Sequence, residues 1–267
     1  MTAQSVAIGQ QSTQRRGGML LGFGTVLRKE FSEWIRGPKA VIVGSVAIVS
    51  SIFMTLIPFI AEKTGEAEAA GMMSMDPTAN VLLAYTDRLT MAFIVVVSTM
   101  ALVSTERDRG TLGWTLTNPV SPTAVIAAKF VAAFSVLAIV AVALPLALSI
   151  GLATVVYGGP PNFAIVGPFA ALFLALPLFY VALTVGFGTA IKSTAGVAGA
   201  TFAVMFIPQI LGGLIPIIND ASPTSIGAWA MAMAKGEAAS PLTPIAWVIA
   251  MVAILVGSKL AFDRQEF

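Results

Sequence analysis

The chain has 267 residues, of which 57% are apolar and 10% charged, less than half the charge of a soluble globular domain, about 25%. A mean hydropathy of +0.90 and a net charge of only +2 exclude a soluble enzyme, a disordered chain and a nucleic-acid binder. The absence of both His and Cys removes disulfides, Fe–S clusters, thiolate nucleophiles, His-based hydrolysis and His- or Cys-held metals.

Residues 1–18 are polar and predict a disordered tail without a cleavable signal peptide. Residues 19–36 place Leu20, Phe23, Leu27, Phe31 and Trp34 three to four residues apart, with Arg28, Lys29, Glu30, Glu33 and Arg36 assigned to the other face. This pattern predicts an interfacial helix lying along the membrane, or else a helix packed on a soluble partner. Gly37-Pro38 ends it and opens the first span.

Charge-free runs mark the membrane. They cover 40–61, 89–105, 130–191, 193–219 and 238–258, and a span needs about 20 apolar residues. The longest run divides at Tyr157-Gly158-Gly159-Pro160-Pro161-Asn162, a turn signal. Six helical spans result, at about 40–60, 82–104, 123–150, 164–191, 195–218 and 242–261. No period-2 alternation supports a β-barrel. The fold class is therefore an all-α membrane protein with one transmembrane domain over 19–267.

Between the second and third spans, residues 104–122 hold Glu106-Arg107-Asp108-Arg109, then Gly110, then Leu112, Trp114 and Leu116, and end at Asn118-Pro119. On composition this is either a structured amphipathic loop or an ordinary polar connection. Ser121 and Pro122 are placed to cap the third span, and Lys129, two turns in, to snorkel toward headgroups. In the fifth span Pro208, Gly212-Gly213 and Pro216 predict interruptions. The connection over 208–242 is read as a re-entrant or surface-lying outer hairpin, or as a kinked span and a loop.

Twelve of the fifteen basic residues fall on the side that holds both termini, and only Lys63, Arg88 and Lys235 on the other. Both termini are therefore expected in the cytoplasm.

The stretch Glu106-Arg107-Asp108-Arg109-Gly110-Thr111-Leu112, followed by Asn118-Pro119-Val120-Ser121 and then Lys129, resembles ABC-2 type permeases, the membrane subunits of ABC transporters. Arg28 to Ala40 is similar to the helix that precedes the first span in that family, and Phe262 to Phe267 to its short C-terminal tail. The resemblance covers about 25–267. It implies a partner ABC ATPase subunit, a cytoplasmic coupling helix within 104–122, and ATPase contacts at Glu106, Arg107, Arg109, Gly110, Thr111, Arg28 and Glu30. It further implies a second permease copy, homo- or heterodimeric, and a path lined by spans 2 and 5. Candidate path residues are Asp87, Arg88, Thr90, Met91, Ser98, Met205 and Gln209. Export across the inner membrane of a prokaryote is the family default.

This chain has no phosphate loop of the G-x-x-x-x-G-K-[ST] type. ATP and Mg are thus expected in the partner; here no catalytic or metal-binding residue and no enzymatic activity are expected. The alternatives are a secondary transporter, against which the absence of charge in the centres of spans 3 to 6 argues, a non-transporting scaffold subunit, and an intramembrane enzyme using a Ser-Lys pair.

Overall fold

The structure is a computed structural model that describes residues 20–66, 76–85, 88–108 and 120–263; the expected tail over 1–18 lies outside them. The described chain is helical. Helix α1, Phe23–Arg36, is followed at once by α2, Pro38–Thr64, whose Pro sits in the first turn. α2 ends at Gly65, φ +76°, where Glu66 N–H reaches back to Ala61 O at 2.8 Å, a left-handed glycine stop. α3, Pro77–Ala84, is capped by Asp76, whose carboxylate accepts from Thr78 N and Ala79 N.

The region read as one second span over 82–104 is divided. α3 ends at Ala84, α4 runs Arg88–Thr99, and α5, Ser104–Asp108, follows a turn over 100–103. The apolar helical stretch Thr90–Glu106 is shorter than the other spans. The sequence gives a reason. Val95, Val96 and Val97 stiffen the helix, and Ser98 and Thr99 both donate to Val95 O, at 2.9 and 2.6 Å, competing with the helical N–H for that carbonyl.

Ser121 caps α6, Pro122–Leu137, accepting from Ala124 N at 3.2 Å as the Ser-Pro pair predicts. The helix continues through a π-helical segment, Ala138–Ala143, into α7, Leu144–Val156. Pro145 has no N–H to offer Ala141 O, and the wider turn is the local answer. The whole apolar helix is Thr123–Val156, one turn and more beyond the expected 150. α8, Phe163–Phe173, and α9, Ala175–Ala190, form the next crossing, jointed at Leu174 just before Pro177.

α10, Thr194–Leu214, passes Pro208 and Gly212-Gly213 without a break, correcting the expected interruptions there. The break is at Ile215, φ −132°, which Pro216 holds extended. α11, Pro216–Asp220, then folds back so closely that a Cβ on Gly212 would lie 2.8 Å from Asn219 Cβ. α12, Ile226–Lys235, stops at Gly236, and α13, Leu242–Asp263, closes the described chain.

Among the described residues five helices are long and apolar enough to cross a membrane: Pro38–Thr64, Thr123–Val156, Phe163–Ala190, Thr194–Leu214 and Leu242–Ala261. They differ in enclosure. In the most apolar stretch of each, 61% of the residues of the α8–α9 crossing are buried within the chain, 17% of those of α2 and of α10, and none of those of α13. α9 is the hub, packed on α4, α6, α10 and α13. Its Leu176, Phe179, Tyr180 and Val181 are sealed in the core. With lipid as apolar as the core, contact between spans depends on close fit and hydrogen bonds. Hydroxyls supply the latter: Ser51 with Ser149 at 2.5 Å, Thr55 to Ser149 at 3.0 Å, Thr99 with Thr184 at 2.8 Å, and Tyr85 to Val142 O in the π segment at 3.1 Å.

Candidate functional site

Five charged residues, Lys29, Glu30, Glu33, Glu106 and Lys129, meet where α1, α5 and α6 converge. Lys129 Nζ lies 2.8 Å from Glu30 Oε1 and 2.9 Å from Glu106 Oε1. Lys29 Nζ lies 3.6 Å from Glu106, 3.4 Å from Glu33 and 4.0 Å from Glu30. Lys129 and Glu30 are sealed, at 3% and 2% exposed, while Glu106 keeps 21% and Lys29 52%. One ammonium therefore bridges two carboxylates that stand on different segments.

Apolar packing brings the partners together. Val26 of α1 clusters with Val125 and Ala128 of α6, flanked by Phe23, Leu27, Val120 and Ile126. Ser121 N donates to Leu21 O at 3.0 Å. Gly22, φ +78°, lets the chain pass so near Val120 that a Cβ there would lie 2.7 Å from its Cγ2. Trp34 is 2% exposed and anchors the far end of α1 in the main core. Two corrections follow. Glu30 is not on the outer face of α1: Val26, Glu30 and Trp34, four residues apart, form its buried stripe. Lys129 does not snorkel to the surface, because two carboxylates at hydrogen-bond distance satisfy it inside.

Burial alone would lower the Lys29 pKa, and Glu106, Glu33 and Glu30 outweigh this and hold it above the usual 10.5. A buried ion pair adds little net stability, but removing one partner strands a charge, at a cost of about 3–5 kcal/mol. The cluster thus fixes where α5 sits relative to α1 and α6.

Of the residues expected to face an ATPase, Arg28 is exposed on α1 and Glu106 partly so. Glu30 is enclosed and holds Lys129 instead. Arg107 belongs to α5 but its side chain, and all of Arg109, Gly110 and Thr111, lie outside the described residues. The sequence reading paired none of these residues with one another, and it set Lys129 toward the headgroups. Its signal was available: it is the single charge between Arg109 and Lys192, and such a charge requires a partner or water.

The path candidates are scattered rather than gathered. Met205 is fully buried and Met91 7% exposed. Thr90 and Ser98 are half-buried, Gln209 is exposed, and Asp87 and the Arg88 side chain lie outside the described residues. Met91 and Thr90 line a cavity of about 30 Å³ with Ser50, Ser51 and Tyr85, room for about one water. Ser98 faces a groove of about 380 Å³ between α2 and α4, lined by Lys39, Ile42, Val46, Phe93 and Val97. α4 and α10 do meet, through Phe93 with Phe202 at 4.7 Å and with Phe206 at 6.0 Å between ring centroids.

A family model described as ABC-2 family transporter protein matches residues 24–228. The chain belongs to the ABC-2 transporter family. No curated protein matches it. The matched region runs from the start of α1 into α12 and contains Glu30, Glu106 and Lys129. As an ABC-2 family member with five membrane-length apolar helices, it is a multi-pass membrane protein and a transporter permease.

Proposed function

We propose that this chain is the permease of an ABC exporter, pairing with a separate ATPase and with a second permease to move cargo across a prokaryotic inner membrane by alternating access. The observation that carries the coupling role is the Lys129 bridge. A force applied to α5 or to the loop after it passes at once to α1 and to α6, because one buried ammonium holds Glu30 and Glu106. Packed elements of this kind move as units rather than deforming. The ATPase surface then consists of the 104–122 segment with Glu106, Arg107, Arg109, Gly110 and Thr111, and the exposed face of α1 with Arg28; Glu30 acts from inside.

In this reading Thr90–Glu106 is the second of six spans. α1 lies in the cytoplasmic interface, where Lys and Arg are concentrated, and both termini are cytoplasmic. α11 and α12 form the re-entrant outer hairpin. The faces left uncovered on α2, α4 and α10 meet the second copy. The lining is apolar or hydroxyl-bearing, which suits a hydrophobic or amphipathic cargo.

The test is to purify the tagged chain from its native membranes and to measure transport-coupled ATP hydrolysis. A P-loop ATPase should copurify, and Glu106→Ala with Arg109→Ala should uncouple hydrolysis from transport without loss of membrane insertion. Transport driven by an ion gradient with no ATPase bound, or coupling unchanged in the double variant, would refute it.

A further inference from the structure

Away from the charged junction, α6, α9 and α13 enclose a second feature at the same end of the bundle. It is a cavity of about 190 Å³ lined by Ile126, Ala127, Phe130, Ala182, Val185 and Ile254, with Thr123, Ser258 and Lys259 as its polar residues. α13 packs along α9, Trp247 Nε1 donating to Ala175 O at 3.1 Å, and comes closest at Gly186, where a Cβ would lie 2.8 Å from Ser258 Oγ and 2.9 Å from Ile254 Cγ2; small Ala127 and Ala182 leave the space beside that contact unfilled. A second apolar groove of about 360 Å³, lined by Leu183, Gly186, Ala190 and Gly257, flanks α13 on the other side. No residue of the most apolar stretch of α13 is fully buried by the chain, so these spaces open where lipid surrounds the bundle.

The polar groups are not spread through the cavity. Thr123 is at the start of α6 and Lys259 near the end of α13. The apolar residues lie deeper along the same helices, Thr123 to Val131 spanning about 12 Å at 1.5 Å per residue. Among the described residues no carboxylate lines the space. The Ser258 hydroxyl donates to Ile254 O at 2.6 Å, so the polar end offers the Lys259 ammonium and the Thr123 hydroxyl; a cationic end followed by an apolar slot complements one chemistry, an anionic headgroup attached to an acyl chain.

We propose that this cavity is a binding site for one anionic phospholipid, its phosphate on Lys259 and the Thr123 hydroxyl, and one acyl chain between α6, α9 and α13. The site depends on the membrane setting alone and not on the ATPase pairing, so it stands or falls separately from the exporter reading. A cavity lined only by apolar groups loses contacts on its open side. The chain of a lipid restores them and wedges α6, which carries Lys129, against α13.

The experiment reconstitutes the full chain in nanodiscs of equimolar palmitoyl-oleoyl phosphatidylglycerol and phosphatidylcholine, without ATPase or nucleotide, and follows retained lipids by native mass spectrometry during stepwise delipidation. One phosphatidylglycerol should outlast the phosphatidylcholine. Lys259→Gln should lower its retention roughly fivefold, the effect of about one basic residue at an anionic surface. Ala127→Phe, which fills the slot, should abolish retention of either lipid. Phosphatidylglycerol carrying a diazirine on its acyl chain should crosslink in the unaltered protein to residues 123–131 and 254–259. This second readout does not depend on either variant folding. Equal retention of the two lipids, meaning annular lipid only, or crosslinks elsewhere, would overturn the assignment.

Discussion

Lys129 illustrates how one residue acquires a role from its surroundings. It is 3% exposed and bridges Glu30 and Glu106. Lys129→Met should therefore lower stability by about 3–5 kcal/mol, because Glu30 is left charged and enclosed. Thermal denaturation in detergent measures this, and adding Glu30→Leu should recover most of the loss, since the two changes share one interaction. Glu106→Gln should cost less, its carboxylate being 21% exposed. Lys29 sets a pH limit: its pKa is raised above 10.5 by Glu106, Glu33 and Glu30 against the lowering effect of burial. A raised folded-state pKa contributes stability fully below 10.5 and loses it as pH rises through the higher folded value. Stability should therefore owe no change to Lys29 between neutrality and about pH 9, and a Lys29→Met variant should flatten the alkaline decline, read as melting temperature against pH. That Glu30 is internal was half legible, since Val26, Glu30 and Trp34 are spaced like a buried stripe. The sequence pattern also allowed Glu30 on the charged face, because a helix seen alone does not say how wide its packed side is.

At the scale of elements, the joint between α1 and α6 turns on Gly22. Its φ of +78° is a conformation that costs other residues about 1–2 kcal/mol, and its neighbour Val120 leaves no room for a Cβ. Gly22→Ala should lower the melting temperature, whereas Gly24→Ala, inside α1 with open space around it, should raise stability by about 0.5–1 kcal/mol. A loss at both positions would mean that α1 is not docked as described. The Ser-Pro start of α6 and the end of α8–α9 near 190 were readable from capping residues and charge. The division of the second span was not. Hydropathy sums over 82–104 without registering that Ser98 and Thr99 take the carbonyl a helix needs. Pro208 misled in the other direction, since a membrane helix absorbs a proline when neighbours cover the freed carbonyl.

At the scale of the molecule, α9 is enclosed while α2, α10 and α13 present apolar faces outward. Two of these are assigned to the second copy and one to lipid. Since the chain has no Cys, single cysteines report this cleanly. Ile207→Cys on α10, 53% exposed, should form a disulfide-linked dimer in native membranes under mild oxidation. Val252→Cys on α13, 55% exposed, should not. Crosslinking at Val252 alone would place the dimer on the other side of the bundle.

The amino-acid sequence by itself determined that this is a helical membrane protein, where most spans begin and end, and that it resembles a transporter permease. Those properties follow from the free energy of placing charge and backbone in hydrocarbon, which local composition sets. Only the tertiary structure decided which spans are enclosed, that Glu30 and Lys129 meet across 99 positions, and that a cavity remains between α6, α9 and α13. These depend on which helix faces touch, and among apolar helices that choice is made by side-chain fit and a few polar contacts rather than by hydropathy.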